Sequence, residues 1–413
     1  MESSAAPRDL GRFDVVVVGA GLIGLATARE LLTRRPGLRL AVVEAEEEVA
    51  AHQSGHNSGV VHGGIYYEPG SLKARLCVEG AALMYEYAAE HAIAHERCGK
   101  VVVAVRPAEL GRLDALEQRG RANGVPGLRR VGPSELREIE PNATGLAALH
   151  APGTGIIDYP GVARAIRAEL ETAGVVFHLG TRVTGLTEAV RVVLDAVGPH
   201  GPVRVSAERV ITCAGLWADR LARRSGADPD PQIVPFRGVY LRLRATPTPV
   251  VRGMVYPVPD PTLPFLGVHV HRHVDGHVMI GPSAMLVPSR DGYRLSHVRG
   301  RDVVETLTWP GTWRVARRWW RTGIEEMAMA SSQRRHLAAA RAYVPSLAAE
   351  DLDGSFHSGV RAQAVARDGT LVDDFVISTQ GAVTHLRNAP SPAATSAFAL
   401  ARELVDRFED RQS

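Results

Sequence analysis

The sequence predicts an α/β fold with an α+β second domain. One unit holds a buried parallel sheet delivered in pieces; the other is built on a mixed, largely antiparallel sheet. Three observations predict this. Residues 13–44 read as strand, glycine-rich turn, helix and strand. Residues 232–283 alternate in the strand manner, as in Val239-Tyr-Leu-Arg-Leu-Arg, Leu266-Gly-Val-His-Val-His and His277-Val-Met-Ile. The buried-strand pattern returns mid-chain at Arg209-Val-Ile-Thr-Cys213, and a closing helix covers 391–408, so the first unit is interrupted by other material. With 413 residues, 45% hydrophobic and 23% charged, the chain suits a soluble globular protein of two or three domains, or one discontinuous two-domain enzyme.

The first element is the most specific. Phe13-Asp-Val-Val-Val-Val-Gly19-Ala-Gly21-Leu-Ile-Gly24 places four valines before a GxGxxG turn, and Glu44 follows twenty positions after the last glycine. Gly19 permits the tight turn, Gly21 lets the backbone approach a pyrophosphate, and Gly24 lets helix and strand pack closely. The helix over Ile23–Arg34 points its N-terminal N–H groups at phosphates. A strand over Leu38–Val43 ends at Glu44, whose carboxylate can take both ribose hydroxyls and disfavours a 2′-phosphate. The unit therefore reads as a Rossmann-like site for FAD or NAD. Its discontinuity favours FAD.

The later elements follow from spacing. Residues 1–12 read as a loose leader and 49–71 as polar, glycine-rich loop. A helix is expected over 72–97, with Leu72, Leu76, Leu83, Met84 and Tyr87 near one face. Lys100–Val105 reads as a strand and Glu109–Asn123 as a charged helix. A helix over 160–173 leads to a strand at Val175–His178, then short strands over 181–213 turning at 198–202. Helices fill 300–346, and 355–380 contains a strand.

Composition bounds the function. A net charge of +3 does not favour a nucleic-acid partner. Cys77, Cys98 and Cys213 fit neither a metal spacing nor a disulfide framework, which points to a reducing, cytoplasmic setting. No stretch resembles a signal peptide or a transmembrane helix. One segment stands apart: Trp313-Arg-Val-Ala-Arg317-Arg318-Trp319-Trp320-Arg321 sets Trp313, Ala316 and Trp320 on one helical face and arginines mostly on the other. That pattern suits peripheral contact with an anionic membrane, or else a helix packed through its tryptophans.

Three further blocks carry a resemblance: His52-Gln-Ser-Gly-His56-Asn-Ser-Gly59-Val-Val-His62-Gly-Gly-Ile-Tyr66-Tyr67-Glu-Pro-Gly-Ser-Leu-Lys73, Val210-Ile-Thr-Cys-Ala214-Gly215-Leu-Trp217-Ala-Asp, and Asn388-Ala-Pro-Ser391-Pro-Ala-Ala-Thr-Ser. With Pro235-Phe-Arg237-Gly, the string from Tyr256 to His269, and Gly359-Val-Arg361-Ala-Gln-Ala, they span about residues 13–405. The chain resembles the FAD-dependent amino- and hydroxy-acid oxidoreductases (the D-amino-acid oxidase superfamily), and within it the L-2-hydroxyglutarate oxidases and dehydrogenases. The resemblance implies a cofactor domain at 13–85, 150–230 and 350–413 and a substrate domain at 86–149 and 231–349. It implies FAD held by Gly19, Gly21, Gly24, Glu44, Ser54, Asn57, Ser58, Gly59, Val183, Ala214, Gly215, Trp217, Gly359, Arg361, Asn388, Pro390, Ser391, Ala393 and Ala394. The run from Ser391 precedes a helix whose N-terminus would stabilise negative charge on a reduced ring.

The implied reaction moves a hydride from C2 of an L-2-hydroxy acid to flavin N5 and the hydroxyl proton to a base. Histidine suits that base. His56, His62 and His269 are the candidates, His56 and His269 foremost, although most of the 16 histidines must be structural. Some relatives attach flavin through a histidine in the pattern His-x-x-Gly, a spacing shared by His56 and Gly59. A dicarboxylate needs anion sites, for which Arg237 and Arg361 offer planar forks, supported by Lys73, Tyr67 and Tyr256. The electron acceptor would be oxygen or quinone. Two other readings remain open: a biosynthetic relative acting on another 2-hydroxy or 2-amino acid, and a non-catalytic flavin-binding module.

Overall fold

A computed structural model describes residues 6–246, 248–261, 266–294 and 296–410. Part of the string between Tyr256 and His269, at 262–265, lies outside the described residues. The chain divides into two compact units: Met1–Gly55, Tyr159–Val234 and Ala362–Ser413 form one, and His56–Asp158 with Pro235–Arg361 form the other.

The first unit is built on a parallel sheet. Strand Arg8–Val18 pairs in parallel with Leu40–Val43 on one side and with Gly201–Thr212 on the other. Val176–His178 extends the sheet beyond Leu40–Val43, and the far end of Gly201–Thr212 pairs in parallel with Val383–Asn388. The valine run is buried because helices cover the sheet: Leu22–Arg34 packs beside Tyr159–Thr172 and Ala397–Glu409. The antiparallel hairpin Arg182–Glu188 and Val192–Gly198 completes the edge. Residues 8–12 are not a loose leader, because Arg8 already pairs with Val203 and Arg12 with Ser206.

The second unit carries a mixed sheet. In its middle, Gln232–Leu243, Val278–Gly281, His269–Arg272 and Met254–Pro257 pair antiparallel, and Met254–Pro257 pairs in parallel with Lys100–Ala104. Ala147–Ala151 and Arg129–Val131 continue the sheet antiparallel. Strand alternation sends the two faces to different cores. Val101, Val103, Val255, Val270, Ile280 and Leu241 pack with Leu337, Tyr343 and Leu347. Val102, Ala104, Met254 and Tyr256 face the other way, toward Leu113, Leu116 and Leu128. Lys100, Tyr256, His269 and His271 share this second face.

Several boundaries differ from the sequence reading, among them residues 350–361, expected in the cofactor domain but part of the second unit. The helix expected over 72–97 stops at Glu90, where Ala92 turns to φ 50° and Ile93 N donates back to Ala88 O. That is a Schellman-type stop with alanine in the place glycine usually takes. The cofactor piece expected to run to 85 leaves its unit after Gly55. Residues beyond it join the second unit through strand Val60–Val61, which pairs with Gly155–Ile157. Among the described residues, no helix is long and apolar enough to cross a membrane, and all three cysteines are free thiols.

Candidate active site

In the first unit, the expected cofactor residues gather at the carboxyl ends of the parallel strands, where ligands of such sheets bind. Gly19 follows Val18 with φ +104°, and a Cβ there would stand 2.4 Å from Cys213 O. Gly24 closes the helix onto the turn, since a Cβ there would sit 1.9 Å from Gly19 O. Gly21 is the helix N-cap and has no side chain to cap the first-turn amides. Ser54 Oγ takes one of them, accepting from Leu22 N at 3.0 Å. Glu44 is held by two backbone donors, Ala20 N at 2.6 Å and Glu46 N at 3.0 Å. Carboxylate oxygens have further lone pairs, so Glu44 keeps acceptor capacity for hydroxyls.

The remaining members of this group are backbone and packing residues. Ala214 and Gly215 follow the strand ending at Thr212, and Gly215 turns at φ +50° beside Gln53. Trp217 packs its ring edge-on to His52 at 4.9 Å and under Arg182 at 5.3 Å. Val183 pairs with Ala196 in the edge hairpin. Asn388 Nδ2 donates to Val372 O and Asp374 O, while its Oδ1 is buried with no partner among the described residues. Pro390, Ser391, Ala393 and Ala394 form the turn before helix Ala397–Glu409.

The second unit brings the chemistry-bearing groups onto one sheet face. Register places Tyr256, His269, Gly281 and Tyr240 opposite one another on four adjacent strands. Tyr256 stacks on His269 with ring centroids 3.8 Å apart. Gly281 adds no side chain to the row, and a Cβ there would meet Val239 O at 2.7 Å. Tyr240 fills the space, 6.1 Å from His269 and 5.6 Å from His271. Its hydroxyl bonds Arg361 and Ser58.

Burial, with His271, Lys100 and Arg361 nearby, pushes His269 well below the ordinary imidazole range, so it is neutral. Its Nδ1 lies 3.2 Å from Gly267 O. A carbonyl can only accept, so Nδ1 carries the proton and donates. Nε2 is then a bare acceptor; it is buried and has no hydrogen-bond partner among the described residues. His62 is likewise pushed well down, by burial and then by Lys100 and Arg361. Burial also holds His271 down, to about 3.

His56 stands differently. It stacks on Tyr293 at 4.1 Å, with His357 6.1 Å away. Gly359 admits this loop: a Cβ there would lie 2.3 Å from His56 O. Asn57 Oδ1 accepts from Gly59 N, and Gly59 turns at φ +67° against the His273 ring. Lys73 is buried with its ammonium 4.9 Å from the Tyr67 ring centre. Arg237 is buried, its Nε and Nη1 lack partners among the described residues, and burial lowers its affinity for its proton.

Sequence reasoning missed Lys100, Tyr240 and His271. The signal was present in His269-Val-His271 and Lys100-Val-Val-Val-Ala104, where polar residues fall in phase on strands otherwise buried on both faces. By contrast, His385 lies between Thr212 Oγ1 at 2.8 Å and Ser225 Oγ at 2.7 Å, fully occupied in the first unit.

A family model described as FAD dependent oxidoreductase matches residues 14–407. The mitochondrial L-2-hydroxyglutarate dehydrogenase of Nematostella vectensis is 44% identical, covering 97% of this chain and 91% of its own. The human protein of the same name is 42% identical over 97% and 89%. The L-2-hydroxyglutarate dehydrogenase of Indibacter alkaliphilus is 40% identical over 94% and 96%. Among solved structures, L-alpha-glycerophosphate oxidase from Mycoplasma pneumoniae with FAD bound superposes with a TM-score of 0.76 at 25% identity, covering 96% of this chain and 94% of that one. Glycine oxidase from Geobacillus kaustophilus gives 0.70 at 22%, covering 97% and 95%.

Proposed function

The chain belongs to the family of FAD dependent oxidoreductases, and from that premise we propose that it oxidises L-2-hydroxyglutarate to 2-oxoglutarate. The near full-length likeness to L-2-hydroxyglutarate dehydrogenases from an anemone, a mammal and a bacterium carries this reading. The residues present fit FAD: the turn at Gly19 and Gly21 is bare backbone at a helix N-terminus, and Glu44 is fixed with acceptor capacity to spare. The turn would hold the diphosphate and Glu44 the ribose. FAD, when bound, supplies the hydride acceptor.

The chain's own residues do the rest. Arg361, tied to the Tyr240 hydroxyl, offers its fork to the C1 carboxylate. His269 Nε2 takes the proton of the C2 hydroxyl as the carbonyl forms. Its tautomer is set in advance by Gly267 O, so no rearrangement precedes the transfer. Tyr256, stacked on the ring, fixes its plane. Arg237 offers a second fork to the substrate, and Lys73 and Tyr67 remain supporting donors.

The test is anaerobic mixing of the yellow protein with L-2-hydroxyglutarate, D-2-hydroxyglutarate, lactate and a panel of amino acids. Bleaching by L-2-hydroxyglutarate alone is expected. Bleaching by another compound, but not by this one, refutes the substrate.

Segment Pro310–Ala330, helical on both sides of a break at Trp319 (φ −121°, ψ 26°), supports peripheral membrane contact and hence a quinone acceptor. Trp313 is 60% exposed and Trp320 56%, so neither ring is packed away, and Ile324 and Met327 are also exposed. Arg318 and Arg321 lie against Trp319 and Trp320. Anionic vesicles should co-sediment the protein at low salt and release it at high salt. Protein left in the supernatant at low salt ends this reading.

A further inference from the structure

Lys100 opens a central strand of the second unit and is 1% exposed. Its ammonium stands 4.2 Å from the ring centre of Tyr256 and 5.0 Å from that of Tyr66. Among the described residues no carboxylate pairs with it; the ionisable groups acting on it are the thiols of Cys77 and Cys98. Buried lysines without a counter-ion are rare, because the charged form loses its hydration without repayment. Burial accordingly pulls this ammonium down to about 7.

The surroundings point to what would complete it. The Tyr66 hydroxyl is buried with no hydrogen-bond partner among the described residues, and so is His269 Nε2. Both His62 and His269 feel Lys100 and Arg361 together. In the row across the sheet, His269 lies between Tyr256, which Lys100 covers, and Tyr240, which bonds Arg361. Two cations therefore flank the residue that takes the hydroxyl proton, and among the described residues no acid neutralises the one at Tyr256.

We propose that Lys100, with the Tyr66 hydroxyl, anchors the second carboxylate of the substrate, the one remote from C2, and so sets the preference for a dicarboxylate. The assignment rests on the reading of the substrate given above. Lys100 acts here as a specificity residue: it touches the far end of the substrate, while the proton goes to His269. Binding fixes the ammonium in its charged form, so a dicarboxylate must take up a proton above neutral pH.

The experiment titrates holoenzyme with 2-oxoglutarate and with 2-oxobutyrate, a monocarboxylate of the same reacting end. Calorimetry at pH 8 in two buffers of different ionisation enthalpy reads proton uptake. The unmodified protein should bind 2-oxoglutarate at least tenfold tighter and take up close to one proton that 2-oxobutyrate does not. Lys100→Met, which removes the charge and keeps the shape, should bind both ligands equally, with 2-oxobutyrate unchanged; Lys100→Arg should recover part of the preference. Equal proton uptake with both ligands overturns the assignment without any variant. So does a Lys100→Met protein that still prefers 2-oxoglutarate tenfold. If the unmodified protein itself shows no preference, the dicarboxylate reading fails first and this assignment falls with it.

Discussion

A chain carrying Gly19→Ala is expected to emerge from purification colourless. The added Cβ would stand 2.4 Å from Cys213 O and 3.0 Å from Cys213 C, both backbone atoms that cannot swing aside as a side chain would. Their strand is clamped: Cys213 N donates to Val18 O at 2.7 Å, and Gly19 N donates to Val43 O at 2.8 Å. The backbone at φ +104° adds its own strain for any L side chain. Strain and overpacking together cost about 2–4 kcal/mol. The cost falls on the turn that approaches the diphosphate, so FAD affinity should drop at least a hundredfold. Absorbance of the purified protein reads the flavin content, and thermal denaturation reads the stability. A Gly19→Ala protein with full flavin and an unchanged Tm would show that the turn tolerates displacement.

The second large effect is expected at His269. Replacing it with alanine removes the bare Nε2 acceptor and should slow anaerobic flavin reduction by a hundredfold or more, within the usual range for a lost general base. His56→Ala should change the rate less than tenfold, since that ring is stacked on Tyr293. The pH profile supplies an independent reading. A base works only when unprotonated, and burial holds His269 well below the ordinary imidazole range. At saturating substrate the rate should thus show no acidic limb until pH drops below about 6.5. An acidic limb centred above that value, or a His269→Ala protein reduced at a normal rate, rules His269 out as the base.

The parts of the molecule that sequence exposes are those governed by neighbours in the chain. The valines before Gly19, the glycine spacing and Glu44 specify one another within 32 positions, and the turn forms as expected. The stop after Glu90 was hidden because Ala92, not glycine, adopts the left-handed conformation there. Lys100 was hidden for a different reason. At the head of a strand a lysine reads as a solvated end, but Ala151 and Met254 flank it, from segments about 50 and 150 residues away. Arg237 and Arg361 look alike in sequence, each near a glycine in apolar surroundings. Only folding distinguishes them: Arg361 bonds the Tyr240 hydroxyl, whereas Arg237 is shaped by burial alone. The tryptophans of segment Pro310–Ala330 admitted two readings, and only the fold reveals that Trp313 and Trp320 are exposed.

The interleaving of the two units also orders their birth on the ribosome. Strand Gly201–Thr212 finds its parallel neighbour in Val383–Asn388, with Val210 opposite Val383. Pairings that close so long a loop are slow, and here they must also wait for the last strand to be made. The second unit ends at Arg361, so all its strands have been translated while the first still lacks its final piece. The polar face around His269 can therefore be assembled before the dinucleotide unit is whole. Loss of the residues after Arg361 would spare that face and leave the parallel sheet with an open edge, the kind of exposed strand that invites aggregation.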